Sequence, residues 1–462
     1  MEFIVAFGQR QSQLTFPPAT SYPFQCNPYL LSKQAGGILK VLVIGSGGRE
    51  HALVWALKKS SRVSEVVCAP GNGGIAEIAT CIPVDVKDLN EMLGVVGQVH
   101  PDLTVVGPEL PLSLGLVDEL QQRGLRVFGP TQAAARLESS KGFAKEFMQR
   151  HHIPTPHYAV CTSEKELRDA LEFFSTPVVV KADGLAAGKG VVICESKDEA
   201  AQVALEMLSG KALGEAGIRV VLEEFLTGDE ISFLVLCDGE HVAPLVASRD
   251  HKRIGDGDTG PNTGGMGAYS SDTLLDANMT EWLLAHIARP VVQGMAGEGS
   301  PYRGILYCGI MITARGPQVL EFNCRFGDPE TQAVLMRLDS DIVDAFESAI
   351  DGRVSESEMR WSGDPAVCVV VAAGGYPGSY ESGKQINGLA DAATVEGVTV
   401  FHAGTTLKDG KIYTSGGRVL GVTARATDLE TAVKRAYDAV GKISFDGMYV
   451  RKDIAARALA KK

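Results

Sequence analysis

Gln318-Val319-Leu320-Glu321-Phe322-Asn323, continued by Cys324-Arg325-Phe326-Gly327-Asp328-Pro329-Glu330, is the stretch from which the rest of the chain can be read. The first six residues read as a strand, and side chains two apart on a strand share a face. Val319, Glu321 and Asn323 are therefore expected on one side, with Leu320 and Phe322 on the other. A carboxylate beside an amide oxygen is hard-ligand chemistry, suited to Mg²⁺ or Mn²⁺ and poor for zinc. Two protein ligands are enough where phosphate oxygens and water complete the octahedron. The plainer alternative is an exposed polar strand end. Arg325 follows, placed to reach a phosphoryl oxygen.

Working back along the chain, Gly184-Leu185-Ala186-Ala187-Gly188-Lys189-Gly190 lies between strands expected at 177–181 and 191–194. It is not a P-loop, which has four residues between its glycines and a Ser or Thr after its Lys. Two readings stay open, a structural hairpin or a lid that folds over a triphosphate with Lys181 and Lys189 flanking it. Glu223-Glu224-Phe225-Leu226 closes a strand. Its backbone suits an adenine edge, Phe225 and Leu226 offer apolar contact, and Glu230 suits ribose hydroxyls.

Strands expected at 41–44, 65–69, 103–106 and 126–128 alternate with helical patterns and end in glycine loops, which predicts a parallel sheet with helices on both faces. Gly45-Ser46-Gly47-Gly48 begins like a dinucleotide fingerprint but has Glu50 at the sixth position, and Ala69-Pro70 stands where an acid is required. Either a tight turn or an anion-binding helix start remains. Residues 250–269 read as one long glycine-rich loop, and 367–372, 398–401, 411–414 and 419–422 as strands of a small α+β unit packed on the rest.

Together these motifs resemble the glycinamide ribonucleotide synthetase family of the ATP-grasp superfamily, over about residues 40–455. The resemblance rests on Gly45 to His51, Pro70-Gly71-Asn72, Val106-Gly107-Pro108-Glu109 and Lys181-Ala182-Asp183-Gly184 onward. Glu223-Glu224-Phe225-Leu226, Asp250-His251-Lys252-Arg253, Pro261-Asn262-Thr263-Gly264-Gly265-Met266-Gly267 and the Arg325 to Glu330 hexapeptide add to it. It implies an α/β chain with an N-terminal parallel-sheet (pre-ATP-grasp) substrate domain at 40–139, an ATP-grasp domain at 140–345 with a small α+β lid at about 160–228, and a C-terminal α+β domain at 364–457. Residues 1–39, outside the resemblance, are expected to be a disordered extension.

The implied reaction is ATP-dependent ligation of glycine to 5-phosphoribosylamine through a glycyl phosphate, in purine synthesis. ATP would meet Lys141, Lys181, Gly184, Gly188, Lys189, Gly190, Glu223, Glu224, Phe225, Leu226 and Glu230, with Mg²⁺ or Mn²⁺ on Glu321 and Asn323. Arg325, Lys181 and Asp328 would be catalytic, Asp328 or a neighbouring acid also receiving the glycine ammonium. Gly47, Gly48, Arg49, Glu50, Gly71 and Asn72 would hold the sugar phosphate, while Glu109, Asp250, Lys252, Asn262, Thr263 and Gly264 would make further substrate contacts. One departure from the wider superfamily is that Leu306-Tyr307-Cys308-Gly309-Ile310-Met311 offers no additional metal-binding acid.

Composition sets outer bounds. The 462 residues include 45% apolar side chains and 52 glycines, a globular α/β profile. A net charge of -12 disfavours nucleic acid and anionic membrane, so local cations must hold any phosphate. Nine scattered cysteines without a Cys-x-x-Cys pair suggest reduced thiols and a cytoplasmic enzyme, and the chain is expected to be a monomer. Residues 1–39 hold four prolines and a single acid, open to reading as a disordered extension, an early start codon or a transit peptide.

Overall fold

The computed structural model describes residues 37–185, 190–210, 218–356 and 358–460. Expectations for residues 1–36, Gly188 and Lys189 lie outside the described residues. Among the described residues, no helix is long and apolar enough to cross a membrane.

Five parallel strands form the first sheet, in the order Thr80–Cys81, Val63–Pro70, Leu39–Gly45, Leu103–Val106 and Val127–Phe128. Val41 to Ile44 of the central strand Leu39–Gly45 are all apolar because both faces are covered there. Leu42 and Ile44 enter one core, while Val41 and Val43 enter the other. The sheet grows outward from this strand in both directions, so Gly45 and Gly107 fall at the crevice where such sheets bind ligands.

A large antiparallel sheet follows, in the order Gly316–Asn323, Arg303–Thr313, Asp229–Asp238, Ser248–Asp250, Gly267–Ser270, Ala366–Ala373, Arg418–Arg425 and Val398–His402. A separate four-stranded antiparallel sheet runs Tyr158–Cys161, Val220–Glu224, Val178–Ala182 and Val191–Cys194. Leu167 and Leu171 of one helix, with Ala200, Ala204 and Met207 of another, cover one face of this smaller sheet.

Three expectations are corrected. Residues 250–269 are not one loop: Arg253–Gly255 and Thr259–Asn262 pair as a hairpin, and Gly267–Ser270 joins the large sheet. Glycine-rich composition hid them. Gly257 and Gly260 adopt positive φ at this hairpin, which glycine tolerates without strain. The C-terminal unit does not merely pack on the rest, because Gly267–Ser270 hydrogen-bonds to Ala366–Ala373 and makes the sheet continuous.

The third correction concerns the metal strand. Its register slips between Gly309 and Ile310, which face Glu321 and Val319 respectively, so Leu320 is bulged out. Val319 is buried in the core away from the cleft, Leu320, Glu321 and Asn323 line the cleft, and Phe322 is buried at its edge. Simple alternation had put Val319 beside Glu321.

The first sheet is tied to the C-terminal strands through histidines. His51, on the helix Gly48–Leu57, accepts the His402 backbone N–H at its Nδ1 (2.8 Å), and His402 Nδ1 lies 3.1 Å from Thr405 Oγ1. Burial, with His402 beside it, pushes His51 down from 6.5 to about 3, and burial brings His402 to about 4. Both pKa values are depressed in the folded state, so below about pH 6.5 the unfolded chain binds more protons. This stability is whole above that pH and lost as pH falls through 4 toward 3. Each histidine is expected to steepen acid destabilisation by up to about 1.4 kcal/mol per pH unit. His51→Asn, which keeps an acceptor, should show a shallower fall in urea midpoint between pH 7 and 5. An unchanged slope would remove the assignment.

Candidate active site

The small sheet and the large one face each other across a cleft of about 980 Å³. Its charged groups are placed by local hydrogen bonding. Ser140 caps the helix Lys141–Arg150 by accepting the Phe143 N–H at 3.2 Å, and Asp183 accepts the Gly142 N–H at 2.5 Å. Residues four apart share a helix face, so Lys141 and Lys145 point the same way. Lys141 Nζ reaches the Gly184 carbonyl at 3.1 Å.

Lys145, Lys181 and Glu223 form a buried triad. Lys145 Nζ lies 2.9 Å from one Glu223 oxygen and Lys181 Nζ 2.8 Å from the other. Both lysines also donate to the carbonyl of bulged Leu320, at 3.4 and 3.0 Å, and Lys145 donates to Thr155 Oγ1 at 2.8 Å. Burial lowers Lys145 to about 8, although Glu223 opposes the shift. Burial alone would raise Glu223; the two lysines outweigh it and hold the carboxyl below its usual range.

On the facing wall Lys252 Nζ bridges Glu230, at 2.5 Å, and Glu321, at 3.3 Å. Lys252 outweighs burial and, with Lys181 and Lys141, holds Glu321 down to about 2. Glu321 is thus ionised at any working pH. Asn323 Oδ1 accepts a 3.4 Å hydrogen bond from Arg325, which also pairs with Glu138 at 2.8 Å and Glu109 at 3.3 Å. An ionised carboxylate and an amide oxygen opening onto one cleft fit a hard divalent cation. No group of three His, Cys, Asp or Glu side chains suited to a metal occurs among the described residues, so ligands from phosphate and water would have to complete the shell.

At the far end, Asp328 joins three parts of the chain. It accepts the Arg49 backbone N–H at 3.2 Å and the Gln332 amide at 3.0 Å, and pairs with Arg418 at 3.6 Å. Burial opposes its ionisation, yet Arg418 and Arg49 keep its pKa below the ordinary value. Asp250 behaves oppositely. Its Oδ1 is buried with no hydrogen-bond partner among the described residues, and burial together with Glu330 pushes its carboxyl well above the usual range.

The cleft gathers most residues that the sequence singled out. Lys141, Lys181, Gly190, Glu223, Glu224, Phe225, Leu226, Glu230, Asp250, Lys252, Asn262, Thr263, Gly264, Glu321, Asn323, Arg325, Asp328, Arg49 and Glu109 all line it. Gly47, Gly48, Glu50, Gly71, Asn72 and Gly184 are not among the lining residues. Glu50 is buried and accepts the Gly47 N–H at 2.5 Å and Arg49 Nε at 2.6 Å. The Gly47 and Arg49 amides expected to face an anion are thus already engaged, by Glu50 and Asp328. Asn72 instead bridges the Ser46 and His402 carbonyls, each at 2.8 Å. Sequence reasoning missed Lys145, Glu138, Tyr376 and Arg418. For Lys145 the i, i+4 spacing from Lys141 was an available signal.

Family models for phosphoribosylglycinamide synthetase match three consecutive parts: its N domain at residues 39–138, its ATP-grasp (A) domain at 139–331 and its C domain at 366–457. The phosphoribosylamine–glycine ligase of Pseudomonas aeruginosa is 50% identical over 426 residues, spanning 92% of this chain and 99% of that protein. A crystal structure of phosphoribosylamine–glycine ligase from Thermotoga maritima superposes with a TM-score of 0.79 at 37% identity, covering 90% of this chain and all of that one. The biotin carboxylase domain of Hydrogenobacter thermophilus 2-oxoglutarate carboxylase, crystallised with magnesium ADP, shares the fold at a TM-score of 0.69 and 20% identity, over 89% of this chain and 92% of that one.

Proposed function

The chain belongs to the phosphoribosylglycinamide synthetase family and is an ATP-dependent ligase that joins glycine to phosphoribosylamine in purine biosynthesis; from that premise we propose how the cleft divides the work. ATP lies between the two sheets. Its adenine meets the backbone at Glu224, Phe225 and Leu226, its ribose meets Glu230, and its phosphates meet Lys141, Lys181 and Gly190. Glu321 and Asn323 hold a divalent cation, Mg²⁺ or Mn²⁺, whose chemistry there is neutralisation of phosphate charge. A carboxylate is a poor electrophile, so glycine must first be activated. Its carboxylate oxygen bonds to the γ-phosphorus as the bond to ADP breaks, giving glycyl phosphate and ADP. The phosphoribosylamine nitrogen then attacks the carbonyl carbon, phosphate leaves, and the amine proton passes to solvent.

Phosphoryl transfer asks mainly for positioning and charge neutralisation. Lys181 is suited to it because Glu223 and the Leu320 carbonyl fix its ammonium in place. Arg325, clamped by Glu138 and Glu109, presents a fixed cation beside Asn323. The lid sheet keeps water from the acyl phosphate, whose hydrolysis would waste the cycle. Phosphoribosylamine lies beside Arg49 and Glu109. We place the chain in the cytoplasm as a monomer; the eight free cysteines among the described residues suit a reducing compartment.

The observation that carries the glycine assignment is the unpartnered oxygen of Asp250, which feels Glu330 and shares Arg418 with Asp328. An arriving ammonium satisfies it and restores its ionisation. Asp250→Asn is expected to raise the glycine KM about 10- to 100-fold, the worth of a charged hydrogen bond, with the ATP KM little changed. An unaltered glycine KM would move the ammonium elsewhere. The activity itself is tested by ADP release with ATP, magnesium, glycine and freshly generated phosphoribosylamine. Release that ignores omission of glycine would overturn it.

A further inference from the structure

Arg418 comes from the C-terminal strand Arg418–Arg425, yet its guanidinium enters the substrate end of the cleft. Its Nη1 faces the Gly264 carbonyl at 2.5 Å and the Asp328 carbonyl at 2.7 Å, with the Gly265 carbonyl at 3.5 Å and Asp328 Oδ1 at 3.6 Å. One cation therefore joins the turn carrying Gly264 and Gly265 to the turn carrying Asp328. The fit leaves no slack: a Cβ on Gly264 would stand 3.0 Å from Arg418 Cζ. A Cβ on Gly265 would stand 2.5 Å from Pro329 and 2.7 Å from Asp250 Oδ1. Tyr376, from the same C-terminal unit, holds the turn from another side by accepting the Gly264 N–H at 3.0 Å.

We propose that Arg418 is the positioning residue for glycine, clipping the Gly264–Gly265 turn to Asp328 so that Asp250 and Asp328 are held in register around one ammonium. This deepens the ligase reading and rests on it. Asp250, Asp328 and Glu330 all act on the Arg418 charge, and Glu330 opposes the ionisation of Asp250, so removing the cation leaves like charges to repel or protonate. Arg418 supplies that cation through backbone carbonyls, so it sets the position of both turns and not only their charge. It also gives the C-terminal unit a part in binding. Its sheet continues that of the ATP-grasp unit, so a shift of the strand moves the guanidinium and both turns together. All of these contacts run through Nη1 at the tip of the side chain, a point that the compact, strongly hydrated lysine ammonium reaches only in part.

The test is steady-state kinetics on the full chain, with each substrate varied in turn. Arg418→Met should raise the glycine KM about tenfold or more while the ATP KM stays within about twofold, and Arg418→Lys should recover only part of the loss. Tyr376→Phe, which removes the second hold on the turn, should raise the glycine KM by a smaller factor and covers the case in which Arg418→Met fails to fold. A glycine KM within about twofold of wild type in both Arg418→Lys and Tyr376→Phe would overturn the proposal. So would equal rises in the glycine and ATP constants, the pattern of general structural damage. Wild-type turnover that does not need glycine would overturn the ligase reading as well. Normal glycine dependence with unmoved constants in the variants overturns the role of Arg418 alone.

Discussion

Glu321→Ala is expected to lower kcat/KM by about 10²- to 10³-fold or more at limiting magnesium, the usual loss when a preorganised charge stabiliser is removed. Its carboxylate is held at about 2 by Lys252, then Lys181 and Lys141, so it is a full negative charge in the midst of cations. Alanine deletes that charge and one of the two oxygen donors. Raising magnesium should recover part of the activity, because Asn323 and the phosphates still supply ligands. Glu321→Asp should fall between, its shorter side chain keeping charge but not reach. The fold should persist, because Lys252 keeps Glu230 at 2.5 Å and the strand is held by its pairing with Arg303–Thr313. The informative readout is therefore the magnesium concentration at half activity, with the melting temperature as control. Normal turnover at limiting magnesium would remove Glu321 from the metal site.

What the sequence disclosed and what it hid differ in physical kind. Lys181, Glu321 and Asn323 were legible because their chemistry sits within a few residues on one strand or beside one loop. The parallel sheet was legible because a strand buried on both faces must be apolar at every position, as residues 41–44 are. The bulge at Leu320 was not. Val319 and Leu320 are both apolar, so no alternation of character marked which one leaves the ladder, and only the partner strand determines it. Strands within 250–269 were hidden because glycine and asparagine are poor strand formers by propensity, and tertiary pairing overrode that preference. Glu50 looked like a departure from a phosphate loop, whereas it is the acceptor that consumes the loop's own amide. Arg418 carried no local signal at all, since its contacts lie 154 and 90 residues away.

Lys145 and Lys181 bind the same carboxylate, yet their loss should register in different measurements. Lys181→Met should cut turnover about 10²- to 10³-fold, because it removes a fixed donor aimed at the transferring phosphate. Lys145→Met should act first on stability. Lys145 is 2% exposed, and removing it leaves Glu223 with a single ammonium and takes the donor from Thr155 Oγ1. Breaking a buried ion pair from one side costs at most about 3–5 kcal/mol, less here because Lys181 still pairs with Glu223, and the loss is readable as a fall in the denaturation midpoint. Residual turnover at saturating ATP should exceed that of Lys181→Met, since Lys181 keeps Glu223 and Leu320. The decisive comparison is Lys145→Met with Glu223→Gln in one chain. Once Glu223 is neutral, Lys145 has no carboxylate to pair with and stands beside a second ammonium, so its removal should then cost little. The double variant should therefore be more stable than the sum of the two single losses. It should not regain turnover, because Lys181 then loses the partner that fixes its ammonium. A Lys145→Met protein as stable as wild type, or a double variant less stable than the sum of the two single losses, would show that the triad is not coupled as its distances imply.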